Sequence, residues 1–215
     1  MKIEGDYQNQ GYALVRQIIP REVARAFMAQ LRQDLPPGPL KVPDSEPLEV
    51  LRRPAIDIAG AHYRPMEFFL WALTPTMEQI TGRNLVPTYD YFRIYREGDV
   101  CLVHRDRPAC EHSLSLTLDY SDDVMWPLEV GCARSELIEQ EVTGDFAGEA
   151  NSSLEMHVGD AVAYQGAAHR HGRTLPNPNK WSAHLFMHWV ERDGHHAGHA
   201  FDGAGLPPAT NFTFV

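Results

Sequence analysis

Cysteine is scarce in this chain. Its 215 residues include only Cys101, Cys110 and Cys132, an odd number without CxxC spacing, so neither a disulfide framework nor a cysteine-based zinc site is available. A reducing, cytoplasmic compartment suits such thiols. Positive charge is also in deficit: 19 Lys and Arg stand against 29 Asp and Glu, a net −10. A phosphate backbone or an anionic bilayer is repelled by that balance, which argues against nucleic acid and membrane surfaces as partners. No apolar run approaches the roughly 18 residues of a membrane span. The opening Met1-Lys2-Ile3-Glu4-Gly5-Asp6 lacks the apolar stretch of a signal peptide. The Asn151 and Asn211 sequons are therefore expected to stay idle. Internal repeats are missing, which excludes solenoids and propellers. So are GxSxG, HExxH, P-loop and Rossmann fingerprints, which leaves nucleophilic and phosphate chemistry without support.

What is present is ordinary globular material, 43% hydrophobic and 22% charged, enough for one domain with additions. The hydrophobic period divides it into a helical support region, 1–85, a β core, 86–193, and a tail, 194–215. After Pro20, Val23, Phe27, Leu31 and Leu35 recur at a spacing of four and predict a helix over 21–35, stopped by Pro36-Pro37-Gly38-Pro39. A second helix is expected from Met66 to Gly82 despite Pro75. From Val86 the period becomes two, and short strands separated by turn signals predict a sandwich or barrel. In the run 112–120, Leu114, Leu116 and Leu118 alternate with Ser113, Ser115 and Thr117; in 181–190, Trp181, Ala183, Leu185, Met187 and Trp189 oppose Ser182, His184 and His188. Both read as half-buried strands. A further strand is expected over 161–166, and a loop of about 20 residues around Gly144-Asp145 and Asn151 reads as a lid or binding loop.

The chemistry centres on His104-Arg105-Asp106, the only His-x-Asp in a chain with 11 histidines. It follows the apolar run 100–103, and a strand there would turn the imidazole and carboxylate to one face, ready to grip one divalent metal. A 2-His-1-carboxylate facial triad needs one more histidine from a distant strand. His171 can complete it, with His169, of the same parity, as rival. Two residues further along the strand, about 6.8 Å, stands Arg173, placed to clamp the far carboxylate of a five-carbon dicarboxylate whose other end the metal holds. Lys180, opening the next strand, competes for that role. His112, His157, His184 and His188 read as packed or surface residues, and His195-His196-Ala197-Gly198-His199 as a flexible tail.

Over most of 89–190 the sequence resembles the iron(II)- and 2-oxoglutarate-dependent dioxygenases, in particular their prolyl-hydroxylase-like branch. The resemblance is carried by Tyr91-Phe92-Arg93-Ile94-Tyr95-Arg96-Glu97-Gly98-Asp99, by His104-Arg105-Asp106, and by Gly159-Asp160, Tyr164, Gly166, His171 and Arg173. It implies a double-stranded β-helix, or jelly roll, mainly β, carried on N-terminal helices. It further implies Fe(II) on His104, Asp106 and His171, with 2-oxoglutarate as cosubstrate beside O2 and its distal carboxylate on Arg173 or Lys180. The family's better-known prolyl hydroxylases place the cation nearer Lys180, whereas a His-x-Arg variant favours Arg173. Tyr91 and Tyr95 would donate hydrogen bonds to the cosubstrate, and Arg93 and Arg107 would lie near the mouth. The reaction implied is C–H hydroxylation coupled to decarboxylation of 2-oxoglutarate.

Two other classes accommodate the same residues: a cupin-like metalloenzyme that does not use 2-oxoglutarate, and a non-catalytic jelly-roll binding module. The substrate, whether a small molecule or a peptide or protein, and the oligomeric state are not written in the sequence.

Overall fold

A computed structural model describes residues 1–35, 49–135 and 141–205. Among the described residues, eleven strands form two antiparallel sheets. The larger holds β1 (Lys2–Glu4), β2 (Tyr12–Arg16), β3 (Ile56–Ala59), β4 (Leu85–Arg96), β6 (His112–Tyr120), β9 (Ala161–Tyr164) and β11 (Trp181–Glu191), in the order β1-β2-β9-β6-β11-β4-β3. The smaller holds β5 (Cys101–His104), β7 (Leu128–Arg134), β8 (Asn151–Leu154) and β10 (His169–Arg173), in the order β5-β10-β7-β8. From β4 onward the chain crosses between the sheets at every step except the β7–β8 hairpin, and this alternation makes the jelly roll.

The helices cover the outer face of the larger sheet. Helix α1 is a single turn (Tyr7–Gln10), whereas α2 (Arg21–Asp34) and α3 (Pro65–Thr81) are the two supporting helices the periodicity predicts. The stripe on α2 differs from expectation: Ala24, Phe27, Met28 and Leu31 are buried, and Val23 is 41% exposed. A spacing of four overshoots the 3.6-residue turn, so Val23 at its start rotates off the buried face, while Leu35, just beyond the helix, still packs on the core. The Pro36 to Pro39 stop lies outside the described residues. Pro75 stays inside α3 because it falls on the solvent side, as does Trp71 one turn back, and water can satisfy the carbonyl that Pro75 leaves free.

Three readings are corrected. Residues 1–85 are not only helical, since β1, β2 and β3 extend the larger sheet on both edges. β6 and β11 are not half-buried. Leu114, Leu116 and Leu118 are fully buried within the hydrophobic core that also takes in Phe27, Leu31 and Leu70 of the helices, while Ser113, Ser115 and Thr117 are equally buried on the opposite face, inside the roll. The described part of the tail packs on the core: Ala197–Gly203 forms 3-10 turns kinked at Ala200 to Asp202, and Ala200 is buried against Val86 and Val190. The loop before β8 is anchored too, because Thr143 exchanges both backbone hydrogen bonds with Val103. Among the described residues, no helix is long and apolar enough to cross a membrane.

Candidate active site

The cavity lies between the sheets and encloses about 470 Å³. His104 reaches it from the end of β5 and His171 from β10, where the ladder pairs the two residues directly. Asp106 lies just beyond β5 rather than on it. Its position depends on a backbone bond, Asp106 N–H to the Gly166 carbonyl (2.9 Å). A side chain at Gly166 would collide with the Asp106 carboxylate, so a glycine there allows the two segments to close together.

The three side chains converge. His104 Nε2 is 3.4 Å from Asp106 Oδ1, and His171 Nε2 is 3.4 Å from Asp106 Oδ2. Each imidazole spends its other nitrogen on the backbone: His104 Nδ1 donates to the Leu102 carbonyl (2.7 Å), and His171 Nδ1 to the His169 carbonyl (3.0 Å). This fixes the tautomer and leaves each Nε2 lone pair aimed at a common point, as metal-binding histidines require. Asp106 Oδ2 is buried without a hydrogen bond of its own. Burial alone would raise the Asp106 carboxyl, yet His171 and His104 hold it well below the usual carboxylate range. A carboxylate with one oxygen unsatisfied and two imidazole nitrogens form a donor set that fits a divalent transition metal.

Arg173 sits in the wall of the same cavity, 1% exposed. Its guanidinium donates to the Trp126 carbonyl (2.5 Å) and lies over the Trp126 ring (4.8 Å). Among the described residues it has no carboxylate partner. Arg93 is nearly as buried but is neutralised, with two 2.7 Å hydrogen bonds to Asp57. Lys180 does not join these residues. It is exposed on the outer side of the larger sheet, bordering a separate groove with Arg32 and Trp181. Tyr91 and Tyr95 both line the cavity; Tyr91 stacks on Phe186 (4.8 Å), and Tyr95 meets Trp126 edge-on. His169 points elsewhere. A register irregularity separates it from His171, and its Nδ1 donates to the Gly131 carbonyl beside Tyr12 and Gly11. Arg107 stands at the mouth over Tyr89 and pairs with Asp202 (2.9 Å).

Several groups in the interior were not singled out in the sequence. His188 packs on Tyr89 (4.6 Å), bonds Ser113, and belongs with Cys110 to a group around Asp106. Burial holds it down to about 4, so it is neutral. His184 abuts Arg173, and burial together with the Arg173 charge holds it well below its ordinary value. The available signal was parity: both lie on the polar face of β11, which proves to be the inner one. Tyr164, one of the residues that carry the sequence resemblance, is a further wall, tilted on His171 at 4.6 Å.

No family model matches the sequence, and no curated protein matches it. Solved structures do. A Pseudomonas putida prolyl-4-hydroxylase superposes with a TM-score of 0.60 at 18% identity, covering 88% of this chain and 96% of that one. The non-haem α-ketoglutarate-dependent carbocyclase SnoK of nogalamycin biosynthesis gives 0.62 at 15%, covering 95% and 92%. HygX from Streptomyces hygroscopicus, solved with nickel and 2-oxoglutarate bound, gives 0.59 at 11%, covering 87% and 85%. The likeness is one of fold: the jelly roll is shared with a prolyl-4-hydroxylase and with non-haem α-ketoglutarate-dependent enzymes. The resemblance seen in the motifs thus extends to the whole architecture.

Proposed function

We propose that the protein is an iron(II)- and 2-oxoglutarate-dependent dioxygenase that hydroxylates a substrate C–H bond. The observation that supports this most is Arg173, a buried cation without a carboxylate partner among the described residues, in the same cavity as His104, Asp106 and His171. A buried unpaired charge is costly. One carboxylate of 2-oxoglutarate would offset it, and the two-residue step along β10 from His171, about 6.8 Å, matches the length of that dicarboxylate. A cupin-like reaction would leave Arg173 without a role.

His104, Asp106 and His171 would hold Fe(II). With 2-oxoglutarate and O2, that metal supplies the oxidation, releasing succinate and CO2. The remaining work belongs to the chain. Arg173 orients the cosubstrate by its distal end. Burial raises Tyr91 and Tyr95 above the ordinary tyrosine value, so both hydroxyls keep their protons and serve as donors. Arg93 donates to the Tyr95 oxygen (3.4 Å) and so holds that hydroxyl in the cavity wall. Tyr89, Tyr91 and Phe186 form a stacked aromatic wall that sheds water beside the reacting centre. The substrate, a small molecule or a segment of peptide or protein, enters past Arg107, in a cytoplasmic setting suited to three free thiols.

The test is an anaerobic titration of metal-free protein with Fe(II) and 2-oxoglutarate. The reading expects a visible metal-to-ligand charge-transfer band that Asp106→Ala and His171→Ala abolish, and succinate formation once O2 is admitted. Fe(II) binding without the band would replace it with the cupin-like reading; no metal binding at all would leave a binding module.

A further inference from the structure

A second cluster of ligand-type side chains lies outside this cavity. Glu111 and His112 stand where β6 begins, and Glu191 ends β11. One donor atom from each falls within 4.8 Å of the others. They open into a separate cavity of about 850 Å³, which His196 also lines. His112 is 2% exposed, and its Nε2 is buried without a hydrogen-bond partner. That nitrogen points at Glu191 Oε1 from 3.6 Å, too far for a hydrogen bond. Its other nitrogen is engaged with the Tyr7 hydroxyl at 2.7 Å.

Two carboxylates and a buried imidazole nitrogen therefore face one another with little between them. Burial, with Arg83 and Arg134 adding to it, holds His112 down to about 4, so the ring is neutral and does not balance the carboxylates. Arg83 Nε lies 3.4 Å from the same Glu191 oxygen, and its side chain is 61% exposed. Glu111 is tied down by the Glu191 N–H (2.8 Å), which orients its carboxylate.

We propose that Glu111, His112 and Glu191 form a second divalent-cation site, structural in role and separate from the candidate active site. One imidazole nitrogen and two carboxylates suit a borderline transition ion such as Zn2+ or Co2+ rather than Ca2+ or Mg2+, which prefer all-oxygen sets. In the bound form His112 Nδ1–H donates to Tyr7, and Nε2 is the ligand. The half-buried His196 lines the same cavity from the turn that follows β11. The ion would lock the ends of β6 and β11 to the segment that leads into Ala197–Gly203.

The probe is Co(II), titrated into metal-free full-length protein and followed by its visible absorption and by thermal stability. Wild type is expected to take two equivalents and Asp106→Ala one. Adding Glu191→Gln or His112→Gln to Asp106→Ala should remove that remaining equivalent and its thermal shift; Glu191→Gln, at the cavity edge, guards against misfolding of the His112 variant. A single equivalent in wild type would overturn the proposal. So would a second equivalent that survives Glu191→Gln but is lost on His195→Ala with His199→Ala, which would assign it to those two histidines of the tail.

Discussion

His104 and His171, 67 positions apart in the sequence, are direct partners across the β5–β10 ladder, with ring centroids 4.5 Å apart. Their convergence depends on the register of one strand pair, since a slip of one residue would turn either imidazole to the far face. Gly172 allows the close approach: a Cβ there would come 2.9 Å from the Cys101 carbonyl oxygen. Gly172→Ala is expected to push β10 away from β5 and weaken metal binding by about 10-fold or more, the scale of losing a ligand's support. Metal titration against wild type, with circular dichroism to verify the fold, checks this.

Arg173 and Lys180 separate cleanly. Arg173→Gln removes the only buried cavity cation that lacks a carboxylate partner among the described residues, and it should weaken 2-oxoglutarate binding by about 1.5–3 kcal/mol, roughly 10- to 150-fold. Lys180→Ala, on the outer surface, should leave that affinity within about twofold. Calorimetry with Mn(II) in place of iron measures both, and a larger loss for Lys180→Ala would reverse the assignment.

Asp90 makes stability fall with pH. It is buried beside Gly60, its Oδ2 has no partner, and burial, with Glu67 adding to it, raises its pKa from 3.8 to about 7. Because the folded value is the higher one, the unfolded chain loses its proton first as pH climbs. The contribution is therefore fully present below pH 3.8 and is lost as pH passes through about 7. Asp90→Asn should flatten this dependence and raise Tm at pH 8 by on the order of 5 °C. Melting curves of both proteins between pH 5 and 8 would refute the idea if they ran parallel.

The two faces of β6 should respond differently to truncation. Leu116 is fully buried against the helices, and Leu116→Ala should cost about 2–5 kcal/mol. Ser115, one residue away and just as buried, has a hydroxyl without a partner, so Ser115→Ala should change stability by less than about 0.5 kcal/mol. Urea denaturation distinguishes them.

Periodicity and motif carried much of the description. The alternation in β6 and β11 and the four-residue spacing in α2 are local properties, imposed by the pleat and the helical turn, so strands and supporting helices were legible. His104-Arg105-Asp106 was legible as a pair of ligands because they are neighbours in the chain. The segments β1, β2 and β3 were not, since short strands at a sheet edge owe their pairing to β9 and β4 rather than to any pattern of their own.

Parity alone left His169 equal to His171 and Lys180 a rival to Arg173. Only the tertiary structure separated them. An irregularity in the β10–β7 register turns His169 toward Gly131, and the start of β11 carries Lys180 outside the roll while Arg173 stays within. Which face of a strand is the inside of a jelly roll is set by what packs on the other side. Here the helices cover the leucine face, and the serines, threonine and histidines are left to face the inside of the roll. The sequence thus determined the elements and the chemistry available to them, and long-range packing decided which of those groups meet.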